Sequence, residues 1–205
     1  MTSWFRRTDA GRGDRDDWFE TGDDAIVVRQ ASFRGPEGSG RPAAVAASRS
    51  ELAWTREKFE VFGARLYEAK YGRLVNGLVS GGEPVSEEEF EAAWQRARHS
   101  RNTTAPEPGG PLARGTRLTG TVSVLPWGPG RVGLFVDLGL PVVGFVDLVH
   151  LPPAPGDWPG VGTVAEFEVT TVRFHLEPPR GAPQIRLRPT ATPPSGGPWR
   201  HPARP

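Results

Sequence analysis

The spacing of apolar residues changes character along this chain. Over residues 48–78, Leu52, Phe59, Phe62, Leu66 and Ala69 recur at steps of three and four, and Tyr67, Tyr71, Leu74 and Leu78 widen the stripe. That period places them on one face of an amphipathic helix. Ser48 and Glu51 stand at the spacing of a capping box, and Gly63, Gly72 and Gly77 are expected to weaken or bend the helix. A second helix is predicted over 86–101, where Phe90, Ala93, Trp94 and Ala97 form a short apolar face and Ser86 with Glu89 repeats the capping spacing. Its acidic start and basic end suit the helix dipole. With SGGEPV between them as a linker, the two helices are expected to form a hairpin within a mainly helical region, 25–101. Residues 25–33 (AIVVRQASF) have strand composition, and RGPEGSGRP after them reads as a loop.

Beyond residue 112 alternation replaces helical spacing. LTGTVSVL (118–125), VGLFVDL (132–138), VVGFVDL (142–148), TVAEFEVTTV (163–172) and QIRLR (184–188) are strand candidates separated by Gly- and Pro-rich turns. Such a run of short strands predicts a small closed barrel. Its interior would take Val122, Val124, Leu134, Val136, Leu138, Phe167, Val169, Ile185 and Leu187. Phe135, Asp137, Glu166, Glu168, Arg186 and Arg188 would face outward. The remaining segments carry no such period. Residues 1–24 hold four Arg against seven Asp or Glu and read as a disordered arm, with docking through Trp4, Phe5, Trp18 and Phe19 as the second reading. Residues 102–111 (NTTAPEPGGP) read as an interdomain linker, and the Pro-rich stretch 191–205 as a disordered tail.

Composition sharpens this division. The chain has 205 residues, of which 26 are Gly and 22 Pro, and only 37% are hydrophobic, so compact modules joined by loose connectors are expected rather than one globule. Net charge is +1, which excludes a histone-like polycation. All the basic residues except Lys58 and Lys70 are Arg, a usage that a GC-rich coding bias produces. The absence of Cys excludes disulfides, iron–sulfur clusters, Cys-bound zinc and thiol nucleophiles. No apolar run reaches the length of a membrane span and residues 1–17 hold no signal-peptide stretch, so a cytoplasmic protein without membrane contact is expected.

Catalytic and cofactor motifs fail on context. Gly128 to Gly133 match G-x-G-x-x-G, yet a strand follows them where a dinucleotide site needs a helix N-terminus. His99, His150, His175 and His201 have no metal-ligand spacing. His150 and His175 meeting near Asp147, or Asp137 facing Asp147 on a neighbouring strand, are the only constellations worth testing. The expectation is a non-catalytic protein with no cofactor and no metal.

Gly120-Thr121-Val122, Gly133-Leu134-Phe135-Val136, Gly144-Phe145-Val146, the Val161-Gly162 turn and Ile185-Arg186-Leu187, in that order, resemble the RNA-binding repeat of the largest bacterial small-subunit ribosomal protein, the S-one domain. The resemblance covers 112–190. It implies an OB-fold barrel that binds single-stranded RNA by stacking on a second-strand aromatic, matched here by Phe135. The family's earlier aromatic position falls at Val132, and its third-strand His position at Asp147. The expected fold class is therefore α+β, a helical hairpin followed by a five-stranded OB-fold barrel. The expected nucleic-acid site is Phe135, Arg131, Arg186 and Arg188 with Trp127, where stacking and phosphate attraction combine. A protein partner, engaged through the hairpin or the Pro-rich loops without RNA, is the alternative.

Overall fold

The computed structural model describes residues 2–9, 15–34, 43–76, 82–100, 110–175 and 182–199. The chain forms two compact units, Met1–Glu107 and Pro108–Pro205. Their division falls within 102–111. Among the described residues no helix is long and apolar enough to cross a membrane.

The first unit is a sheet with helices, not a helical hairpin. Strands β1 (Ser3–Asp9), β2 (Arg15–Thr21), β3 (Val27–Arg34) and β4 (Ala43–Ser48) form an antiparallel meander, and the short β5 (Glu83–Pro84) pairs with β1. Helices α1 (Arg49–Tyr71) and α2 (Glu87–Ser100) pack on this sheet. Strand alternation explains why two helices are needed. Trp18, Ala31 and Ala46 are cross-strand partners on one face, and they form a buried cluster with Phe90, Ala93, Trp94 and Ala97 of α2. Gln30 and Val45 alternate with Ala31 and Ala46 and so point to the other face. There the Gln30 side chain accepts from the Val75 N–H (3.0 Å), and Gly72 closes on Val45. Each face thus has its own helix, and the pair cannot pack as a hairpin.

Three further expectations for this unit are corrected. Residues 3–9 and 15–21, expected in a disordered arm, are paired strands. Their charges hid the alternation, because they are matched across strands. The Arg6 guanidinium donates twice to Asp16 (2.9 and 3.2 Å) and lies over Trp18. Asp17 is only 3% exposed and accepts from Ser32 and Arg15. Buried charge of this kind is tolerated because it is paired. Helix α1 ends at Tyr71, seven residues before its expected end, at a Gly72 cap with φ 87°. Its bend lies at Phe59 and Glu60 rather than at Gly63, and Gly77 lies outside the described residues. Of the strand expected over 25–33, the part from Val27 onward pairs with β2 and β4.

Both capping sites form. Ser86 and Glu89 exchange hydrogen bonds in both directions. At Ser48 the hydroxyl accepts from the Glu51 N–H (3.2 Å), while the Ser48 N–H donates to the Tyr67 hydroxyl, which itself donates to the Glu51 carboxylate. Tyr67 therefore ties the start of α1 to its second half.

The second unit is a closed five-stranded barrel in the order β10-β8-β7-β6-β9, formed by β6 (Arg117–Val124), β7 (Gly133–Asp137), β8 (Gly144–Asp147), β9 (Val164–His175) and β10 (Ala182–Pro189). β10 closes it by running parallel to β8, and the other pairings are antiparallel. Val122, Leu134, Val136, Phe167, Val169, Ile185 and Leu187 fill the interior as expected. Val124 does not: a bulge between Val122 and Val124 turns it outward, opposite Phe135 and 50% exposed. One extra residue in a strand reverses the face of everything after it.

The tail is also corrected in part. Residues 191–199 are placed, and the turn Pro155–Asp157 holds them. The Asp157 carboxylate accepts from the Ser195 hydroxyl (2.7 Å) and the Gly196 N–H (2.9 Å), and its carbonyl accepts from the Trp199 indole N–H (3.0 Å). Residues 200–205, like the loop 35–42, lie outside the described residues.

Glu60 has φ 56° and ψ −155°, a region essentially confined to glycine. Relief of about 1–3 kcal/mol of strain, less the ~0.5–1 kcal/mol helix cost of glycine, should make Glu60→Gly more stable, read as a higher denaturant midpoint for the first unit. Hydrogen bonds from Ser195 and Gly196 hold the Asp157 carboxyl below its ordinary range. The anchoring is therefore at full strength above that range and is lost as the pH falls through the lowered value. The Gly196 amide resonance, followed by NMR in an acid titration, should shift upfield with an apparent midpoint below that of an ordinary Asp.

Candidate nucleic-acid interface on the barrel

Strand register assembles a row of side chains across the outer face of the barrel. Arg186 on β10 is opposite Phe145 on β8, Phe145 is opposite Phe135 on β7, and Phe135 is opposite Val124 on β6. The residues flanking Arg186, Phe145 and Phe135 in sequence point inward, which forces these three outward, and the bulge turns Val124 the same way. The rings of Phe135 and Phe145 meet edge to face at 5.0 Å, and the Arg186 guanidinium lies 4.7 Å from the centre of the Phe145 ring. Phe145 is thereby only 5% exposed, while Phe135 stays half-buried with part of its ring open.

Gly133 sits beneath this row. Its φ is 141°, and a Cβ there would stand 2.2 Å from the Val146 carbonyl oxygen and 2.9 Å from the Phe145 ring. The backbone at the start of β7 can run flat under Phe145 only with glycine in place.

The arginines on this surface are engaged by carboxylates. Arg186 Nη1 donates to Asp147 (2.6 Å), Arg188 Nη2 to Glu168 (2.8 Å), and Arg117 pairs with Glu166 (3.6 Å). Arg186 keeps a buried Nε with no hydrogen-bond partner. A buried donor left unpaired is a cost that a ligand oxygen can relieve. A cation and a partly exposed ring thus lie in one row, an arrangement that can stack a planar group and donate to an anion next to it.

Of the expected site residues, the structure brings Phe135 and Arg186 into one row, and places Arg188 two residues along β10 on the same face. Trp127 and Arg131 are separate from it. They lie in the β6–β7 hairpin beyond the ends of both strands, and Trp127 is 79% exposed. Sequence reading missed Phe145, which it saw only as part of a Gly-Phe-Val strand. Its alternation with Gly144 and Val146 carried the signal.

Of the two constellations considered for catalysis, the pair of aspartates does not assemble. Asp147 is opposite Gly133, at the start of β7, whereas Asp137 is at its end and accepts from the Gly139 N–H (2.8 Å). The carboxylates therefore sit at opposite ends of their strand pair. His150 is exposed after β8, and the side chain of His175 lies outside the described residues.

Compared with known protein families and with curated proteins, the chain matches none. At Gly133 the geometry makes a sharp prediction. Gly133→Ala should destabilise the barrel by at least about 2 kcal/mol, since it adds a clash to an unfavourable φ. Native-state hydrogen exchange should show the loss as reduced protection of the Leu134 and Val146 amides, with protection in the first unit unchanged.

Proposed function

We propose that this chain is a non-catalytic protein that binds single-stranded RNA on the outer face of its barrel, and that the barrel is an OB fold resembling the ribosomal S-one domain. The observation that carries the proposal is the row Arg186–Phe145–Phe135–Val124. Supporting the fold reading are the closed order of five strands and the parallel pairing of β8 with β10.

In this reading a base stacks on the open part of Phe135, with Val124 extending the apolar ledge. Arg186 and Arg188 reach the adjoining phosphate with the donors their carboxylates leave free. The paired carboxylates set the character of the interaction. Affinity rests on stacking more than on charge, because Asp147, Glu166 and Glu168 offset the arginines. With about one or two phosphates neutralised, log K should fall with log salt at a slope near −0.7 to −1.4, shallow for a nucleic-acid binder.

The test is fluorescence anisotropy of a labelled oligouridine across a salt series. Phe135→Ala should weaken binding about 5- to 150-fold, the worth of one stacked base. The double change Arg186→Ala, Arg188→Ala should flatten the salt slope, and Asp147→Asn should tighten binding by releasing Arg186. Binding that is absent at low salt, or indifferent to Phe135→Ala and to the double arginine change, would refute the proposal.

A further inference from the structure

One end of the barrel is apolar in a way that RNA stacking does not use. β6 and β8 finish at this end, and β7 and β9 start there. Of the eight large hydrophobic side chains exposed among the described residues, five belong to it beyond the stacking row: Trp127, Val132, Leu148, Val149 and Val161. Trp127 and Val149 are 79% and 82% exposed. Scattered exposed hydrophobics are ordinary, whereas a cluster marks an interaction surface.

The supporting loops are tied down. The Leu148 N–H donates to the Val132 carbonyl (3.2 Å), which joins the turn after β8 to the β6–β7 hairpin. Gly130 lies so close to Pro155 that a Cβ would stand 2.7 Å from its ring. Leu151 and Trp158 are buried behind the surface, and the Trp158 indole N–H donates to the Pro152 carbonyl (2.8 Å). Trp127 itself has φ 59°, which a bulky residue rarely adopts. Its backbone thus turns a large ring outward on a braced hairpin. Such an anchor loses little freedom when a partner binds.

Composition and charge identify the partner. Four of the five side chains are aliphatic and offer no aromatic face to a base. Arg131 forms no ion pair among the described residues, while Asp157 is held by the tail through Ser195 and Gly196 and Asp147 by Arg186. Arg131 is therefore a cation at this end that has no carboxylate partner among the described residues. We propose that this barrel end docks a protein segment that is mainly apolar and carries a carboxylate for Arg131. It is a second interface, distinct from the stacking row at Phe135.

The experiment selects a displayed library of random peptides on the full chain and measures the affinity of the winners. The expected peptides combine several aliphatic or aromatic residues with Asp or Glu. Trp127→Ala and Val149→Asp should each weaken them at least about tenfold, as should Arg131→Glu, in the range of an interface anchor. Phe135→Ala should leave them unchanged, which separates this interface from the RNA-binding one. All four side chains are at least partly exposed, and circular dichroism checks that each variant is folded. The proposal is overturned if no peptide is selected, or if the selected peptides are basic or insensitive to Trp127→Ala and Val149→Asp. It is overturned equally if Val149→Asp abolishes oligouridine binding, which assigns this end to RNA. Self-association in sedimentation that Val149→Asp removes also overturns it, since the occupant is then a second copy of the chain.

Discussion

An arginine held between a carboxylate and an aromatic ring is the interaction on which both units depend. In the sheet, Arg6 binds Asp16 over Trp18, and Arg29 binds Glu20 and Glu91 over Phe90 and Trp94. In the barrel, Arg186 binds Asp147 over Phe145. The guanidinium suits this position because it is flat, always charged and weakly hydrated. Burial works against the Arg29 charge, but Glu20 and Glu91 outweigh it and hold the group above its ordinary value. The net charge of +1 therefore describes local compensation as well as overall balance.

That compensation has a consequence for function. Arginines that close a sheet over its aromatics are not free to gather phosphates from solution. The row on the barrel face combines an open ring, a nearby cation and acidic neighbours. Such a surface favours stacking over long-range attraction, because Coulomb terms between matched charges cancel at distance while ring contact does not. The apolar end of the same barrel carries the complementary property, exposed hydrophobic area beside Arg131, which has no ion pair among the described residues.

Several parts of this architecture were legible in the residues. The inward positions on β7, β9 and β10 follow from alternation, and the buried face of α2 follows from its three- and four-residue steps. Phe135 and Arg186 were legible as outward residues for the same reason. β1 and β2 were not, because Arg and Asp occupy positions where apolar residues usually announce a strand. Their pairing becomes visible only when Arg6 meets Asp16 and Arg7 meets Asp17 across the ladder. Val124 was misplaced because a bulge leaves no signature in the pattern itself.

Sequence alone determined the periods: where apolar side chains alternate, where they recur helically, and where Gly and Pro interrupt them. Those are local properties, set by backbone geometry within a few residues. Tertiary structure alone decided which segments are partners. It placed α1 and α2 on opposite faces of a sheet and aligned Arg186, Phe145, Phe135 and Val124 from four separate strands. It also drew the tail onto Asp157. These outcomes depend on register and on long-range pairing between charges and rings, and no local period encodes either.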